Sequence, residues 1–195
     1  MSSLFLDNIQ EHQQVIATLS ALAPKVEAAI ALLHQTVAQG GKIMLCGNGG
    51  SAADSQHIAA EFVGRFINDR KPLPAMALST DTSALTCIGN DYSFADIFSR
   101  QVSALGRAGD CLIGISTSGN SANVIEAVKT AHSLGMSSIG LLGRDGGKLA
   151  GLCGCSLIVP SPTTARIQEA HILIGHTLCG AVEQRLGLAG SQGAL

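Results

Sequence analysis

Three observations predict an α/β protein built on a parallel sheet covered by helices. Short apolar runs bounded by glycines or polar turns alternate along the chain with segments of helical periodicity, the pattern of successive βαβ units. Hydrophobic residues make up 46% of the 195 while aromatics make up 3% and glycines number 23, so the core must be aliphatic and closely packed. The stretch 42–65, KIMLCGNGGSAADSQHIAAEFVGR, passes from an apolar run through a glycine turn into a helix. That unit aims free backbone N–H groups at a polar or anionic ligand.

Residues 5–19 place Phe5, Ile9, Ile16 and Leu19 at roughly helical spacing, with Gln10, Glu11, Gln13 and Gln14 between them. Pro24 opens a second helix to about residue 39, with Val26, Ile30, Leu33 and Val37 on one stripe, and Gly40-Gly41 stops it. Two amphipathic helices ahead of the first strand need a surface to cover. They are expected to form contacts between subunits, with packing on their own domain as the alternative. The first strand covers 43–46, and the chain then turns through Gly47-Asn48-Gly49-Gly50, where missing Cβ atoms permit positive φ. Ser51 is the expected N-cap of a helix that begins at Ala52. Residues 74–79 read as the second strand, ending at Thr80-Asp81-Thr82, and a polar turn, Gly89-Asn90-Asp91-Tyr92, leads into a helix near 94–105. A third strand, 111–115, runs directly into Ser116-Thr117-Ser118-Gly119-Asn120-Ser121 and a helix over 122–134. Strands at 138–142 and 157–159 follow, then a long helix over 164–186 and a frayed end, 187–195. The simplest organisation is one domain over 1–195, with helices in 1–40 and an α/β core in 41–187. Its ligand is expected beyond the C-terminal strand ends, near a switch point.

Composition excludes several classes. A net charge of −2 gives no basic face for nucleic acid. The six cysteines form no CxxC pair, and Cys153-x-Cys155 is too close for a usual zinc knuckle, so reduced thiols in a cytoplasmic protein are expected. The N-terminal residues carry Asp7 and Glu11 without a basic run, so no signal peptide is visible. Mean hydropathy is +0.33, yet charges or glycines interrupt each apolar run short of a spanning length, and no membrane contact is expected.

Two places can carry chemistry. Four hydroxyls, those of Ser116, Thr117, Ser118 and Ser121, cluster between a strand end and a helix start. With backbone N–H groups and the positive helix end they make a phosphate cradle that needs no lysine, more than an ordinary capped turn requires. No Gly-Lys-Ser/Thr follows the glycines, so this is not a P-loop. Gly47-x-Gly49-x-x-Ala52 matches a variant dinucleotide fingerprint, but the acidic partner expected about 20 residues later is absent, Asp81 lying too far on. No nucleotide cofactor is expected. The second place is the helix after the glycine turn, where His57 and Glu61 share a face at i, i+4, and the last helix, which adds Gln168, Glu169, His171 and His176. His57 and Glu61 also fit a plain solvated helix face. His176 lies about 80° from Gln168 around the helix and His171 about 60° to the other side, so spacing does not choose between them.

GNGGSAADSQHIAAEFVGRF, TDTSALTCIGNDYSFADIFSRQV, GISTSGNSANVIEA and ARIQEAHILIGH together resemble the phosphoheptose isomerase family of sugar isomerase (SIS) domains. The resemblance covers about 38–185, in four motifs in order. It implies a three-layer, flavodoxin-like domain and a homotetramer with active sites at subunit interfaces. It also implies conversion of sedoheptulose 7-phosphate to D-glycero-D-manno-heptose 7-phosphate, the first step toward activated heptose for lipopolysaccharide or capsule. By position it assigns Asn48, Gly49 and Gly50 to the sugar, Asn90 and Asp91 to its hydroxyls, and Ser116, Thr117, Ser118 and Ser121 to the phosphate. It places one zinc ion per subunit on His57, Glu61, Gln168 and His176, choosing His176 over His171. Ketose–aldose interconversion moves a proton between C1 and C2 while the carbonyl oxygen gains and loses charge, and Glu61 and His176 are the expected proton-transfer pair. The rival of another class is a DiaA-type SIS regulator that binds the replication initiator. That branch lacks the carboxylate at the position of Glu61 and has threonine where this chain has a second glycine. An isomerase of another phosphosugar is the third reading.

Overall fold

In the computed structural model, which describes residues 3–188, every strand predicted from the sequence forms. The strands β1 (Ile43–Gly47), β2 (Ala75–Ala77), β3 (Cys111–Ser116), β4 (Ser137–Gly143) and β5 (Cys155–Val159) make one sheet of order β2-β1-β3-β4-β5. All neighbouring pairs are parallel. This is the 2-1-3-4-5 order of the flavodoxin-like fold. Side chains alternate across it as the strand period demands. Ile43 and Leu45 enter one core, Met44 and Cys46 the other. One core lies under α2 (Ala23–Ala38), α3 (Gly50–Val63) and α7 (Thr164–Arg185). The other lies under α5 (Ser99–Leu105) and α6 (Ala122–Ser133).

The first helix, α1 (Leu4–Thr18), buries only Val15 and leaves Leu4, Phe5, Leu6 and Ile9 exposed. By contrast α2 buries Ala29, Ile30, Leu33 and Thr36, packing on α7 and the sheet. The stretch Leu4–Ala38 is long and apolar enough to cross a membrane by length and composition alone. Here it is broken by a 3₁₀ turn at Leu19–Leu22, and both of its helices lie against α7. The six cysteines are all free.

Two local expectations are corrected. Ser51 is not the N-cap of α3. Gly49 caps it in a positive-φ conformation (φ 57°), the helix starts at Gly50, and Ser51 is a buried residue of its first turn. The residues 89–91 are not a turn but the last turn of an unforeseen helix, α4 (Thr82–Asp91). Asp81 caps it by accepting from the Ala84 N–H at 2.9 Å, which outweighs the turn preference of Gly89-Asn90-Asp91. The expected helix near 94–105 is split into a 3₁₀ turn, Phe94–Asp96, and α5. The expected frayed end lies outside the described residues from 189 onward.

Candidate active site

The sheet order reverses between β1 and β3, so the loops leaving those two strands flank the crevice where this fold takes its ligands. Gly47 is in register with Ile115, which sets Asn48 next to the start of the serine loop. A residue that sequence reasoning missed joins the two loops. Asn123, buried in the first turn of α6, exchanges reciprocal amide hydrogen bonds of 2.8 Å with Asn48. Nothing in an asparagine at that position announces such a partner 75 residues away.

The serine loop is shaped by its own hydrogen bonds. Ser116 Oγ and Ser121 Oγ lie 2.9 Å apart, the Asn120 N–H donates to Ser118 Oγ, and the Asn120 side chain donates to the Ser118 carbonyl. Ser121 is the N-cap of α6, but its hydroxyl faces Ser116 rather than the helix's own amides. The first N–H groups of α6 are therefore free of a side-chain cap, and the positive helix end adds to their attraction for an anion.

On the other side of β1, α3 and α7 lie side by side and run in the same direction. Gly50 faces Gln168, Ile58 faces Gly175 and Phe66 faces Gly180. This pairing brings His57 and His176 together, with their Nε2 atoms 2.8 Å apart and their rings edge-on at 5.1 Å. Glu61 completes the cluster, its carboxylate 3.5 Å from His57 Nε2. One ligand atom from each of the three lies within 4.8 Å of the others. The Phe66 ring stacks on His176 at 5.3 Å. Two imidazoles and a carboxylate are donors of the kind zinc takes, and tetrahedral Zn–N bonds put two nitrogens about 3.3 Å apart, close to the spacing seen. The donor set fits a metal ion.

His171, the alternative that spacing left open, is fully buried on α7. Its ring nitrogens make no well-formed hydrogen bond among the described residues. Burial pushes it down to about 4, with only the Leu142 carbonyl acting against that. It is a core residue. Gln168 shares α7 with His176. It lies about two turns earlier on α7, and its amide nitrogen is 1.8 Å from where a Cβ on Gly50 would stand. Asp54, another residue the sequence did not single out, lies one turn before His57. Burial raises its carboxyl group, the His57 charge acts the other way, and its Oδ2 has no hydrogen-bond partner among the described residues. Asn90 and Asp91 end α4 on the exposed surface, and Asn90 donates to Asp91 at 2.8 Å. Among the described residues, their side-chain hydrogen bonds stay within α4.

Comparison with known proteins identifies the family. Residues 5–143 match the SIS domain family. Phosphoheptose isomerase of Aliarcobacter butzleri is 53% identical over 95% of this chain and 99% of its own length. That of Neisseria meningitidis serogroup C is 56% identical over 93% and 92%. The structure of phosphoheptose isomerase GmhA from Neisseria gonorrhoeae superimposes with a TM-score of 0.88 and 52% identity, covering 92% of this chain and 97% of that one. The domain match stops before α7, whereas these relatives span it, so the histidine cluster lies within the shared region. The chain belongs to the phosphoheptose isomerase family of SIS-domain proteins.

Proposed function

We propose that this chain is an aldose–ketose isomerase that converts sedoheptulose 7-phosphate to D-glycero-D-manno-heptose 7-phosphate, supplying heptose for lipopolysaccharide or capsule. The observation that carries the reading is the meeting of His57 and Glu61 on α3 with His176 on α7, beside the loops of the switch point. The phosphate binds the serine loop, where Ser116, Thr117, Ser118, Ser121 and the open amides of α6 receive it. The sugar then lies over Asn48, Gly49 and Gly50, with the Asn48 amide oriented by Asn123. Glu61 moves the proton between C1 and C2 through an enediolate, and His176 serves the oxygen as the second acid/base. Each such group contributes about 10²–10⁴-fold in rate.

His57, Glu61 and His176 would hold a zinc ion with Gln168 as a fourth ligand, Glu61 and His176 loosely enough to leave it when they carry a proton. That site would supply Lewis-acid chemistry to the substrate carbonyl. The active unit is a homotetramer in the cytoplasm, with sites completed across subunits. The support for association between subunits is the bare apolar end of α1 and the lack of any buried residue in α4, beside which Tyr92 and Phe94 are 58% and 65% exposed. In that assembly Asn90 and Asp91 reach a neighbouring subunit's sugar.

Incubating the protein with sedoheptulose 7-phosphate and following aldose signals by NMR tests the reading. Product formation that falls at least 100-fold in Glu61→Gln, with phosphosugar binding retained, is the expected result. Near-normal turnover in that variant removes Glu61 from the mechanism. Full activity after exhaustive chelation removes the metal.

A further inference from the structure

Behind the histidine cluster lies an ion pair that the proposed chemistry does not use. Arg70, in the connection between α3 and β2, and Glu183, near the end of α7, each leave 2% of their side chain exposed. Arg70 Nε donates to Glu183 Oε1 at 2.7 Å. Its Nη2 donates to the Glu61 carbonyl at 2.7 Å, and its Nη1 to the carbonyls of Phe62, Gly64 and Lys71 at 2.7, 3.0 and 3.1 Å. The last carbonyls of a helix have no partner within it, so this one guanidinium takes the open end of α3. Glu183 Oε1 also accepts the Phe66 N–H at 3.1 Å, and the ring of Phe66 is the one stacked on His176. His176 and Glu183 are seven residues apart, two turns along the same face of α7. Cys179, fully buried, lies about one turn from each on the same helix, its thiol raised first by burial and then by the charges of Glu61 and Glu183.

A buried ion pair is weak evidence for stability, because desolvation offsets most of the attraction. Its geometry is the informative part. A fork with donors in one plane can hold a carboxylate and several carbonyls at once, which a lysine ammonium on a flexible stem cannot. We infer that Arg70 and Glu183 are positioning residues that lock the end of α3 to α7, setting the spacing of Glu61 and His176 for proton transfer. The inference rests on the assignment of those two as the proton-transfer pair. It predicts a specific split: the phosphate cradle belongs to other loops, so losing the clamp disturbs turnover and spares substrate affinity.

The test compares the wild type with Arg70→Lys, assayed with sedoheptulose 7-phosphate well below each protein's melting temperature, alongside histidine ring spectra by 1H–13C NMR. A fall in kcat of about 10–100-fold with KM held within about twofold is expected, since misplacement on the ångström scale costs rate at this level. The His176 ring protons, shielded by Phe66, are expected to shift. Should Arg70→Lys fail to fold, Arg70→Met/Glu183→Leu removes both charges together and fills the space with apolar side chains, and the same split is expected. A folded variant with wild-type kcat, or one whose loss lies entirely in KM, overturns the inference. A wild type inactive on this sugar refutes the proposed reaction instead, and the ring spectra then decide the clamp alone: unmoved His176 signals refute it.

Discussion

Replacing Gly50 by alanine separates folding from function at this site. Gly50 is the first residue of α3 and has no positive φ, so the backbone accepts a side chain there. Alanine in place of glycine in a helix contributes up to about 1 kcal/mol of stability. The added Cβ would stand 1.8 Å from Gln168 Nε2, where ordinary contact begins at 3.4 Å, so the amide must retreat by about 1.6 Å. What it strikes is the far end of a flexible side chain, and a strained rotamer there costs about 0.5–1.5 kcal/mol. The two effects nearly cancel, and the melting temperature is expected to stay within about 4 °C of wild type. Catalysis does not share that tolerance. A methyl group now lies on the surface proposed for the sugar, and Gln168 is pushed off its position, so kcat/KM is expected to fall about 100-fold. Calorimetry and steady-state kinetics on one preparation measure both. Wild-type kcat/KM in a folded Gly50→Ala protein would refute the placement of substrate and Gln168 at the start of α3. A collapse in melting temperature would refute the account of what the methyl meets.

Further outcomes follow from other residues. Ser121→Ala should raise KM about tenfold with kcat changed less than twofold, because its hydroxyl belongs to the phosphate loop and to no proton transfer; competition by inorganic phosphate checks it. Lowering pH should destabilise the fold through His171. The unfolded chain takes up that proton near 6.5, the folded one only near 4, so this contribution is complete above about pH 6.5 and is lost as pH falls toward 4. The full loss is about 3 kcal/mol, and denaturant titrations at several pH values should show a shallower slope in His171→Leu. Asp110 receives the Lys42 ammonium and N–H groups of Lys42 and Arg107, which outweigh its burial and hold its carboxyl below the usual range. Asp110→Asn should cost about 2–3 kcal/mol in urea unfolding, less than a fully buried pair because Lys42 keeps 26% of its side chain exposed.

Much of this molecule was legible in its sequence because the signals were local. Apolar runs of three to six residues bounded by glycines or polar turns marked the strands, and the glycine turn and serine loop appeared where β1 and β3 end. Their physical content, missing Cβ atoms and clustered hydroxyls, does not depend on distant residues. The failures were also local in kind. Gly89-Asn90-Asp91 carries turn formers, yet α4 persists because Asp81 caps its start and Leu85 and Ile88 rest against the core under α5 and α6.

What only the tertiary structure decided is how α7 is rotated against α3. Helical spacing left His171 and His176 equivalent, and the resemblance to a family chose between them without a physical cause. The cause is close approach. A Cβ at Gly175 would lie 2.5 Å from Ile58 Cδ1 and one at Gly180 would lie 3.2 Å from Phe66, so the glycine face of α7 must press on α3. That rotation turns His176 onto His57 and buries His171 in the core. It also brings Glu183 to Arg70 across 113 residues of sequence. Contacts at that separation leave no mark on periodicity or spacing, because they depend on how two finished helices fit and not on how either one forms.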